Sequence, residues 1–333
     1  VVKMAGVKIS GYGAGLPKLA VTNDDLAQIV DTSDEWISTR TGIRERRIAV
    51  DETLTDLCVE AAKAAMAQAE VMAKDLDLII VATVTADLPL PNASCMLQRA
   101  LGAVNATCFD LSAACSGFIF AMNTAQMYIR GGAAKTALVV GGEILSKILD
   151  WTDRSTCVLF GDGAGAAVLT ASETEGILGI TTGSDGAKGM ALNFMEREIA
   201  NPFKKTSGKI DVDDMDVSRF LYMEGPEIFK FALTKVPVSI SEVLKKTGYK
   251  AADIDYFVLH QANYRILSSV AKRLHVSEDK FYVNLDRCGN TSAASIPIAM
   301  AEMSRRGLLK KGMKIVIAGF GGGLTWGAAL IEV

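Results

Sequence analysis

Three blocks of this 333-residue sequence occur twice, in the same order and at the same spacing. DLDLIIVAT begins at position 75 and DIDYFVLHQ at 253, so the spacing is 253 − 75 = 178 residues. At the same spacing, SAACSGFIFAM ends at Met122 and NTSAASIPIAM at Met300, and TALVVGG aligns with KIVIAGF. One match between apolar strands can arise by chance, but three in register without a gap predict two copies of one unit. We expect a first copy over residues 1–175 and a second over 176–333.

Each copy has the pattern of an α/β unit, in which a helix is followed by a strand, a loop, a strand, a helix and two more strands. In the first copy, LTDLCVEAAKAAMAQAEV predicts a helix from its alanine content and apolar spacing. A second helix is predicted from 115 to about 130, and strands near 77–83, 107–111, 136–142 and 165–171. Apolar strands separated by helices indicate sheets covered on both faces, so two fused copies would stack as helix, sheet, helix, sheet and helix. Segment 184–222 has no counterpart and is predicted to be an insertion or flexible loop.

Charge and cysteine usage exclude several classes of protein. A net charge of −3 argues against a general nucleic-acid binder or a membrane-surface protein. The uncharged run 315–331 approaches the length of a membrane span, but its five glycines favour two short buried strands around a loop. The leader VVKMAGVKIS lacks the apolar stretch of a signal peptide, and the six cysteines show neither CxxC nor metal-ligand spacing. We therefore expect a cytoplasmic protein with reduced thiols, without disulfides or a bound metal.

The segment FDLSAACSGFIFAM, residues 109–122, places Cys115 where a predicted strand ends and an apolar helix begins. Small residues before it let backbone approach closely, and the positive end of a helix dipole favours a thiolate. These features are typical of a nucleophile, although a buried, inert cysteine at a strand–helix corner is the alternative. The repeat aligns Cys115 with Ala293, so a nucleophile would belong to one copy only.

The chain has two histidines, and one of them stands where an α/β sheet binds ligands. His260 ends the apolar run IDYFVLH, at the carboxyl end of a predicted strand, and the repeat aligns it with Ala82. The alternative is that His260 has only a structural role, as a hydrogen-bonded histidine at the end of a strand. His275 lies among charged residues at a helix end and is predicted to be solvated. Asn290, in CGNTSAAS, precedes a helix that it could equally well cap.

Two glycine clusters differ in what they predict. GDGAGAA at 161–167 superficially matches the dinucleotide-binding fingerprint, but it continues as the strand GAAVLTA instead of opening a helix. We therefore reject a dinucleotide site there. GFGGGLTWG at 319–327 lies between two predicted strands, and its glycines allow a close backbone approach that supplies an N–H to a developing oxyanion.

Six motifs, taken together and in order, resemble those of β-ketoacyl-acyl-carrier-protein synthase III, a family of the thiolase superfamily. They are DTSDEWISTRTGIRERR, AACSGF, FGDGAGAAVL, HQAN, GNTSAAS and GFGGGLTWG, and they span nearly the whole chain. The resemblance implies an α/β, thiolase-like, five-layered αβαβα fold of two duplicated halves, with a homodimer as the working unit. Thiolases carry a second catalytic cysteine in the last glycine loop and elongating synthases a second catalytic histidine, and this sequence has neither. Type III polyketide synthases share Cys, His and Asn but are longer and have a proline in that loop.

The family condenses an acyl-CoA primer with malonyl-acyl carrier protein, releasing CO2 and CoA, and so begins fatty-acid synthesis. The resemblance implies that Cys115 attacks the acyl-CoA thioester, with the backbone N–H groups of Cys115 and Gly322 holding the oxyanion. His260 and Asn290 would then donate hydrogen bonds to the malonyl thioester carbonyl and stabilise the enolate formed as CO2 leaves. No metal or redox cofactor is implied, and CoA enters as a thioester substrate.

The same motifs imply binding residues. Trp36 and Arg40 would sandwich the adenine of CoA, with Thr32 nearby, although a tryptophan that only packs is the alternative. The rest of the CoA and pantetheine channel would include Arg154, Phe229 and Asn263. A basic patch for the acidic carrier protein would consist of Lys230, Arg265, Lys272 and Arg273, for which an ordinary solvated helix face is the alternative. Primer length would depend on the pocket floor, near Leu90 and Leu145 and a neighbouring subunit.

A function of a different class stays open beside this one. The chain could be a homologue that binds CoA or the carrier protein without catalysing condensation. Intact Cys115, His260 and Asn290 favour the condensing enzyme. Mass spectrometry after incubation with acetyl-CoA distinguishes the two.

Overall fold

A computed structural model of the chain describes residues 6–194 and 219–333 and contains two main β-sheets. The strands are β1 Gly6–Gly15, β2 Leu19–Thr22, β3 Glu45–Ile48, β4 Leu78–Ala82, β5 Thr107–Leu111, β6 Thr136–Glu143, β7 Gly163–Ser172, β8 Ile177–Ser184, β9 Leu192–Asn193, β10 Tyr222–Met223, β11 Tyr256–Leu259, β12 Lys314–Gly321 and β13 Thr325–Glu332. The helices are α1 Asn23–Leu26, α2 Asp34–Thr41, α3 Leu54–Ala69, α4 Ala93–Leu101, α5 Gly117–Arg130, α6 Gly225–Thr247, α7 Tyr264–Leu274, α8 Leu285–Cys288 and α9 Ser295–Arg305.

The two main sheets have the same strand order and the same directions. The first is ordered β1-β7-β6-β4-β5 and the second, written in the equivalent sense, β8-β13-β12-β11. The pairs β4–β6 and β11–β12 are parallel, and each is extended on one side by two antiparallel strands. β7 ends at Ser172 in the first sheet, and β8 begins at Ile177 in the second. The chain therefore builds one sheet topology twice.

Alternation of side chains along the strands lets each sheet pack helices on both faces. In β4, Ile79 and Val81 pack with α3 and α4, whereas Ile80 faces α5 and α9. The other side of α5 and α9 packs against Ile315 of β12, whose neighbour Val316 contacts α6 and α7. The layers are thus helix, sheet, helix, sheet and helix, which confirms the predicted αβαβα fold.

The two middle-layer helices begin in the same way. α5 and α9 each follow a 3₁₀ turn, and the first residues of these turns are Ala114 and Ser292. These two residues have positive φ angles of 44° and 49° and are separated by 292 − 114 = 178 residues. A non-glycine residue in this region is strained by roughly 1–3 kcal/mol, so packing around both helix starts must enforce the conformation.

A glycine in each sheet makes room for the helix start of the other half. A Cβ on Gly141 of β6 would lie 2.2 Å from the carbonyl oxygen of Ala293. A Cβ on Gly319 of β12, the equivalent position, would lie 3.3 Å from the carbonyl oxygen of Cys115. Contact between the halves is therefore reciprocal, and it is closer at Gly141 than at Gly319.

The second half departs from the predicted pattern at one strand. The counterpart of β5 is the short helix Leu285–Cys288, and within the described part of the chain a single bridge, between Phe257 and Phe281, extends the sheet beyond β11. The prediction of a regular strand here is wrong. Charged side chains explain the difference, because Arg287 pairs with Glu302 of α9 at 2.8 Å instead of packing on a sheet face.

Other predicted elements agree with the structure. The helix over LTDLCVEAAKAAMAQAEV is α3, which begins with a capping box between Thr53 and Asp56. The run 315–331 forms the paired strands β12 and β13, and 161–167 leads into strand β7. No helix within 6–194 and 219–333 has the length and apolar character needed to cross a bilayer. Of the predicted insertion 184–222, residues 195–218 lie outside the described residues.

Candidate active site

Cys115 lies in the 3₁₀ turn directly before α5, at the predicted strand–helix junction, and its side chain is buried. Burial raises the pKa of the Cys115 thiol to about 12, a hydrogen bond from Ser292 opposes this rise, and the charge of Glu143 adds to it. The helix N-terminus alone therefore does not produce a thiolate. Since burial outweighs the dipole, the resting side chain is a thiol.

His260 follows β11 and is 1% exposed. Its ring packs edge-on against Phe320 with the ring centroids 5.3 Å apart, and its Nδ1 lies 2.7 Å from the hydroxyl oxygen of Ser295. Burial lowers the pKa of His260 to about 3. The imidazole is therefore neutral at physiological pH and has one N–H donor and one acceptor nitrogen.

Asn290 is held at the start of the second middle-layer helix by bonds to both halves. Its backbone exchanges hydrogen bonds of 2.9 Å with Leu159 and Gly161. Its Oδ1 accepts the backbone N–H of Ser292 at 2.9 Å, as expected for a turn-forming asparagine. This contact leaves the NH2 group as the donor of the amide.

Ser292 connects the three candidate side chains. Its hydroxyl opposes the rise in the pKa of Cys115, its backbone N–H donates to Asn290 Oδ1, and its carbonyl oxygen accepts the Ser295 hydroxyl at 2.9 Å. Because Ser295 also contacts His260, residues from both halves meet around one serine. Sequence reasoning missed both serines, although the motif GNTSAAS places them at the helix start.

A cavity of about 310 Å³ opens beside Cys115. Its lining includes Ser292, Gly322 and Leu145, but neither His260 nor Asn290. The cavity is also lined by Val84, Ser112, Ala113, Ala114, Ile148, Phe160, Leu192, Asn193, Phe194, Leu221, Gly323 and Thr325. The nucleophile candidate and the predicted oxyanion glycine thus share a mostly apolar cavity.

The glycine loop approaches Cys115 most closely at a neighbour of the predicted residue. A Cβ on Gly321 would lie 2.6 Å from the Cys115 nitrogen, so only glycine fits there. Gly322 follows and faces the cavity. Of the two leucines expected near the pocket floor, Leu145 lines the cavity, whereas Leu90 is 85% exposed and does not line it.

Glu143, which sequence reasoning missed, is fully buried at the end of β6. Its carboxylate accepts hydrogen bonds from the hydroxyls of Thr83, Thr85 and Ser292 and from the backbone N–H of Val84. Burial raises the pKa of Glu143 to about 7, and these hydrogen bonds limit the rise. The available signal was a carboxylate that ends the apolar run TALVVGGE.

The residues predicted to hold adenine surround one tryptophan. The guanidinium carbon of Arg40 lies 4.7 Å from the Trp36 ring centroid, and that of Arg154 lies 5.1 Å from it. Arg154 also donates to the carbonyl oxygen of Asp31 at 2.8 Å, while the buried hydroxyl of Thr32 has no hydrogen-bond partner among residues 6–194 and 219–333. Arg154 is therefore nearly as close to the Trp36 ring as Arg40 and can stack on it equally well.

Two residues at the start of α7 bind the end of α2. Asn263 donates to the carbonyl oxygen of Arg40 at 3.1 Å, and Arg265 donates to that of Thr39 at 2.9 Å. Arg265 thus has a structural contact besides its predicted part in the basic patch. This contact positions the helix that carries Trp36.

The other predicted basic residues are exposed on α6 and α7. Arg273 donates to the carbonyl oxygen of Leu233 at 2.5 Å, and the charge of Lys272 helps to lower the pKa of Glu278. Lys230 is exposed near the start of α6, next to the half-buried Phe229. The exposed His275 ends α7, as predicted.

Two duplicated halves in five layers, with a cysteine at one middle helix and a histidine and an asparagine beside the other, define a condensing enzyme of the thiolase fold. Comparisons with known proteins agree. The family model for 3-oxoacyl-[acyl-carrier-protein] synthase III matches residues 109–186, and the model for the C-terminal part of that enzyme matches residues 244–333.

Similar proteins cover nearly the whole chain. The β-ketoacyl-[acyl-carrier-protein] synthase III of Clostridium acetobutylicum is 50% identical, over 99% of both chains. The 3-oxoacyl-[acyl-carrier-protein] synthase III of Aquifex aeolicus is 45% identical, covering 98% of this chain and 100% of that one with a TM-score of 0.90. The priming β-ketosynthase of the R1128 polyketide pathway is 35% identical, covering 100% and 98% with a TM-score of 0.91.

The chain belongs to the β-ketoacyl-acyl-carrier-protein synthase III family. It is accordingly an acyl-transferring condensing enzyme that performs the initiating condensation of fatty-acid synthesis.

Proposed function

We propose that the enzyme condenses a short acyl-CoA, such as acetyl-CoA, with malonyl-acyl carrier protein through an acyl-Cys115 intermediate. The products are 3-oxoacyl-acyl carrier protein, CO2 and CoA. The observation that carries this proposal is that residues of both halves meet at Ser292: it lines the same cavity as Cys115, its backbone N–H donates to Asn290, and Ser295 lies between it and His260.

In the first step the Cys115 sulfur attacks the thioester carbonyl, and CoA leaves as its thiol. The backbone N–H groups of Cys115 and Gly322 stabilise the oxyanion, which is supported by the position of both residues on the cavity beside the tightly packed Gly321. The cavity volume of about 310 Å³ suits a short acyl group.

In the second step His260 and Asn290 donate hydrogen bonds to the malonyl thioester carbonyl and stabilise the enolate that forms as CO2 leaves. A neutral imidazole fits this role when its proton is on Nε2. The Ser295 hydroxyl has one proton, which it can give either to His260 Nδ1 or to the Ser292 carbonyl oxygen. Donation to Nδ1 fixes the tautomer that the reaction requires.

Outside the cavity, we propose that Trp36, Arg40 and Arg154 bind the adenine of CoA, with Thr32, Phe229 and Asn263 along its path. Two guanidinium groups over one indole ring support a site for a flat, anionic ligand. Carrier-protein docking is assigned to the exposed cations Lys230, Arg265, Lys272 and Arg273. No further cofactor enters this scheme.

Division of the chain into halves at 175/176 and a homodimer complete the proposal. The break falls in the turn between β7 and β8, which belong to different sheets. β5 is an edge strand, and apolar side chains of the same half, including Leu90, Val104 and Met127, are exposed. A partner subunit would cover them and bring its own Leu90 towards the pocket floor. Free cysteines at all six positions suit a cytoplasmic enzyme.

The test combines two measurements on the purified chain. Acetyl-CoA should add one acetyl group to Cys115, located by peptide mass spectrometry, and malonyl-acyl carrier protein should then discharge it with release of labelled CO2. A panel of acyl-CoAs ranks the primers. Binding of CoA or carrier protein without acylation would favour the non-catalytic homologue instead.

A further inference from the structure

Glu143 and Ser292 have no role in the reaction steps above, yet both adjoin the nucleophile. The Ser292 hydroxyl oxygen lies 3.4 Å from Oε1 of Glu143, and Ser292 lines the same cavity as Cys115. Cys115, Ser292 and Glu143 thus form a row that leads inward from the cavity. Its inner end is fully buried, and its outer end reaches the cavity at Cys115 and Ser292.

We infer that Glu143 takes up the Cys115 proton through the Ser292 hydroxyl when the acyl group is transferred. This inference rests on the proposed acylation of Cys115. The thiol proton passes to Ser292 Oγ as the Ser292 proton passes to Glu143 Oε1, and the sulfur electron pair forms the new C–S bond. When the bond from the acyl carbon to the CoA sulfur breaks, Glu143 returns a proton to Ser292, Ser292 gives its own proton to the CoA sulfur, and CoA leaves as a thiol. Glu143 is then a carboxylate again.

Charge conservation inside the site favours this route. Loss of the thiol proton to solvent would leave two buried negative charges, on Cys115 and Glu143, with a high desolvation cost. Transfer to Glu143 keeps one negative charge and only moves it. Among the ion pairs within residues 6–194 and 219–333, none joins a lysine or an arginine to Glu143.

The backbone at Ser292 provides independent support. Its φ of 49° is strained, and in this conformation its hydroxyl donates to Glu143 and its backbone N–H to Asn290 at the wall of the cavity that holds Cys115. The equivalent position in the first half, Ala114, has a φ of 44° and no side-chain hydroxyl. The strained conformation thus occurs in both halves, but only in the second half does the strained residue have a hydroxyl group, which lies between Cys115 and Glu143.

Other titratable groups near Glu143 are poor alternatives as proton acceptors. Cys58 of α3 is a buried thiol whose pKa is itself raised, first by burial and then by Asp87 and Glu143. His260 is held neutral by burial, which opposes the gain of a proton. Lys147 has its ammonium protons committed to the carbonyl oxygens of Thr85 and Ala86, at 2.7 and 2.6 Å.

Single-turnover acylation by acetyl-CoA, quenched and followed by intact mass from about pH 5.5 to 9.5, tests the relay. The wild-type rate should rise with pH through the Glu143 pKa of about 7 and then level off, because only the carboxylate accepts a proton. Glu143→Gln and Ser292→Ala should each be about 10²-fold slower near neutral pH. Their rates should keep rising into the alkaline range, where the thiol ionises without help.

Thr83→Val is the matched control, since Thr83 also donates to Glu143 but does not bond Cys115. It should keep the levelling profile with its inflection at higher pH, because it removes a bond that lowers the Glu143 pKa. If Glu143 is only a nearby negative charge, Glu143→Gln lowers the thiol pKa and acylation becomes faster. That result would overturn the relay, as would an unchanged profile in Ser292→Ala.

Ser292→Ala decides the question even where Glu143→Gln does not fold, because Ala114 shows that alanine is compatible with this backbone conformation. If the wild-type chain is acylated at Cys115 and both variants show the same acylation rates and pH profile, the relay is contradicted but the proposed function is not. A wild-type chain that is never acylated at Cys115 contradicts both the relay and the proposed function.

Discussion

The two halves of the molecule build the same strained turn before the same middle-layer helix and then present different chemistry there. The first half has Cys115 where the second has Ala293, and the second has His260 where the first has Ala82. Both alanines are buried core residues. Under the proposed mechanism, the duplicated backbone stays constant while each copy takes one part of the reaction, with the nucleophile in one half and the carbonyl-binding groups in the other.

The sharpest way to break this comparison is to move the thiol to the other half. Cys115→Ala combined with Ala293→Cys should form no acyl-enzyme, since Ala293 is buried and does not line the cavity. We expect a loss on the order of 10⁶-fold, the size seen when a nucleophile is removed from other covalent enzymes. Cys157→Ser, which removes a buried thiol elsewhere, should keep acylation. Acylation of the swapped cysteine would contradict the specialisation of the first half.

The division of labour can next be tested within the second half. His260→Ala and Asn290→Ala should still form acyl-Cys115 but lose about 10²–10³-fold in condensation, or about 3–4 kcal/mol. Cys115→Ser should instead lose acylation and retain slow release of CO2 from malonyl-carrier protein. Intact mass and labelled CO2 measure the two steps separately. The roles are wrong if Asn290→Ala blocks acylation but releases CO2 at the full rate.

Substitutions at the equivalent glycines Gly141 and Gly319 compare how much the packing of each sheet against the other half contributes to the free energy of unfolding. Gly141→Ala puts a Cβ 2.2 Å from a backbone oxygen and should cost about 3 kcal/mol or more in the free energy of unfolding. Gly319→Ala puts it at 3.3 Å and should cost about 1 kcal/mol or less. Urea denaturation compares them. Equal losses would mean that the tighter contact at Gly141 has no energetic consequence.

The smallest expected effect concerns the outer helices. Lys272→Glu on α7 should raise the KM for malonyl-carrier protein roughly two- to fivefold at low ionic strength, and the effect should fade with added salt. The exposed Lys63 of α3, in the outer layer of the first half, is the control, and Lys63→Glu should leave this KM unchanged. If both variants behave alike, docking does not discriminate between the halves.

The sequence was sufficient to predict those elements whose apolar pattern recurs along the chain. Constant spacing predicted the doubled sheet, and apolar periodicity placed α3, β6 and β12 to within a few residues. It failed at the counterpart of β5, where the short helix that replaces this strand carries a tertiary ion pair between Arg287 and Glu302. Local pattern has no information about a partner that lies 15 residues away in sequence and on another helix.

The site shows the same limit. Cys115, His260 and Asn290 stand out as rare or motif residues, but Ser292, Ser295 and Glu143 belong to the site only through three-dimensional contacts. A glutamate at the end of an apolar strand gives no indication that it will be buried beneath a thiol. Likewise, the preference of the helix dipole for a thiolate was a sound expectation that burial outweighs.

The position of the site at the starts of α5 and α9 has a consequence for how the enzyme loses activity when it unfolds. Both helices are sandwiched between the sheets, so their amide protons should exchange with solvent only when the whole molecule opens. The outer helices α2 and α7, which carry side chains that we propose to bind substrate, can open separately. On heating, affinity for CoA should therefore decline gradually, whereas the capacity to form an acyl-cysteine should disappear in one cooperative step with the fold itself.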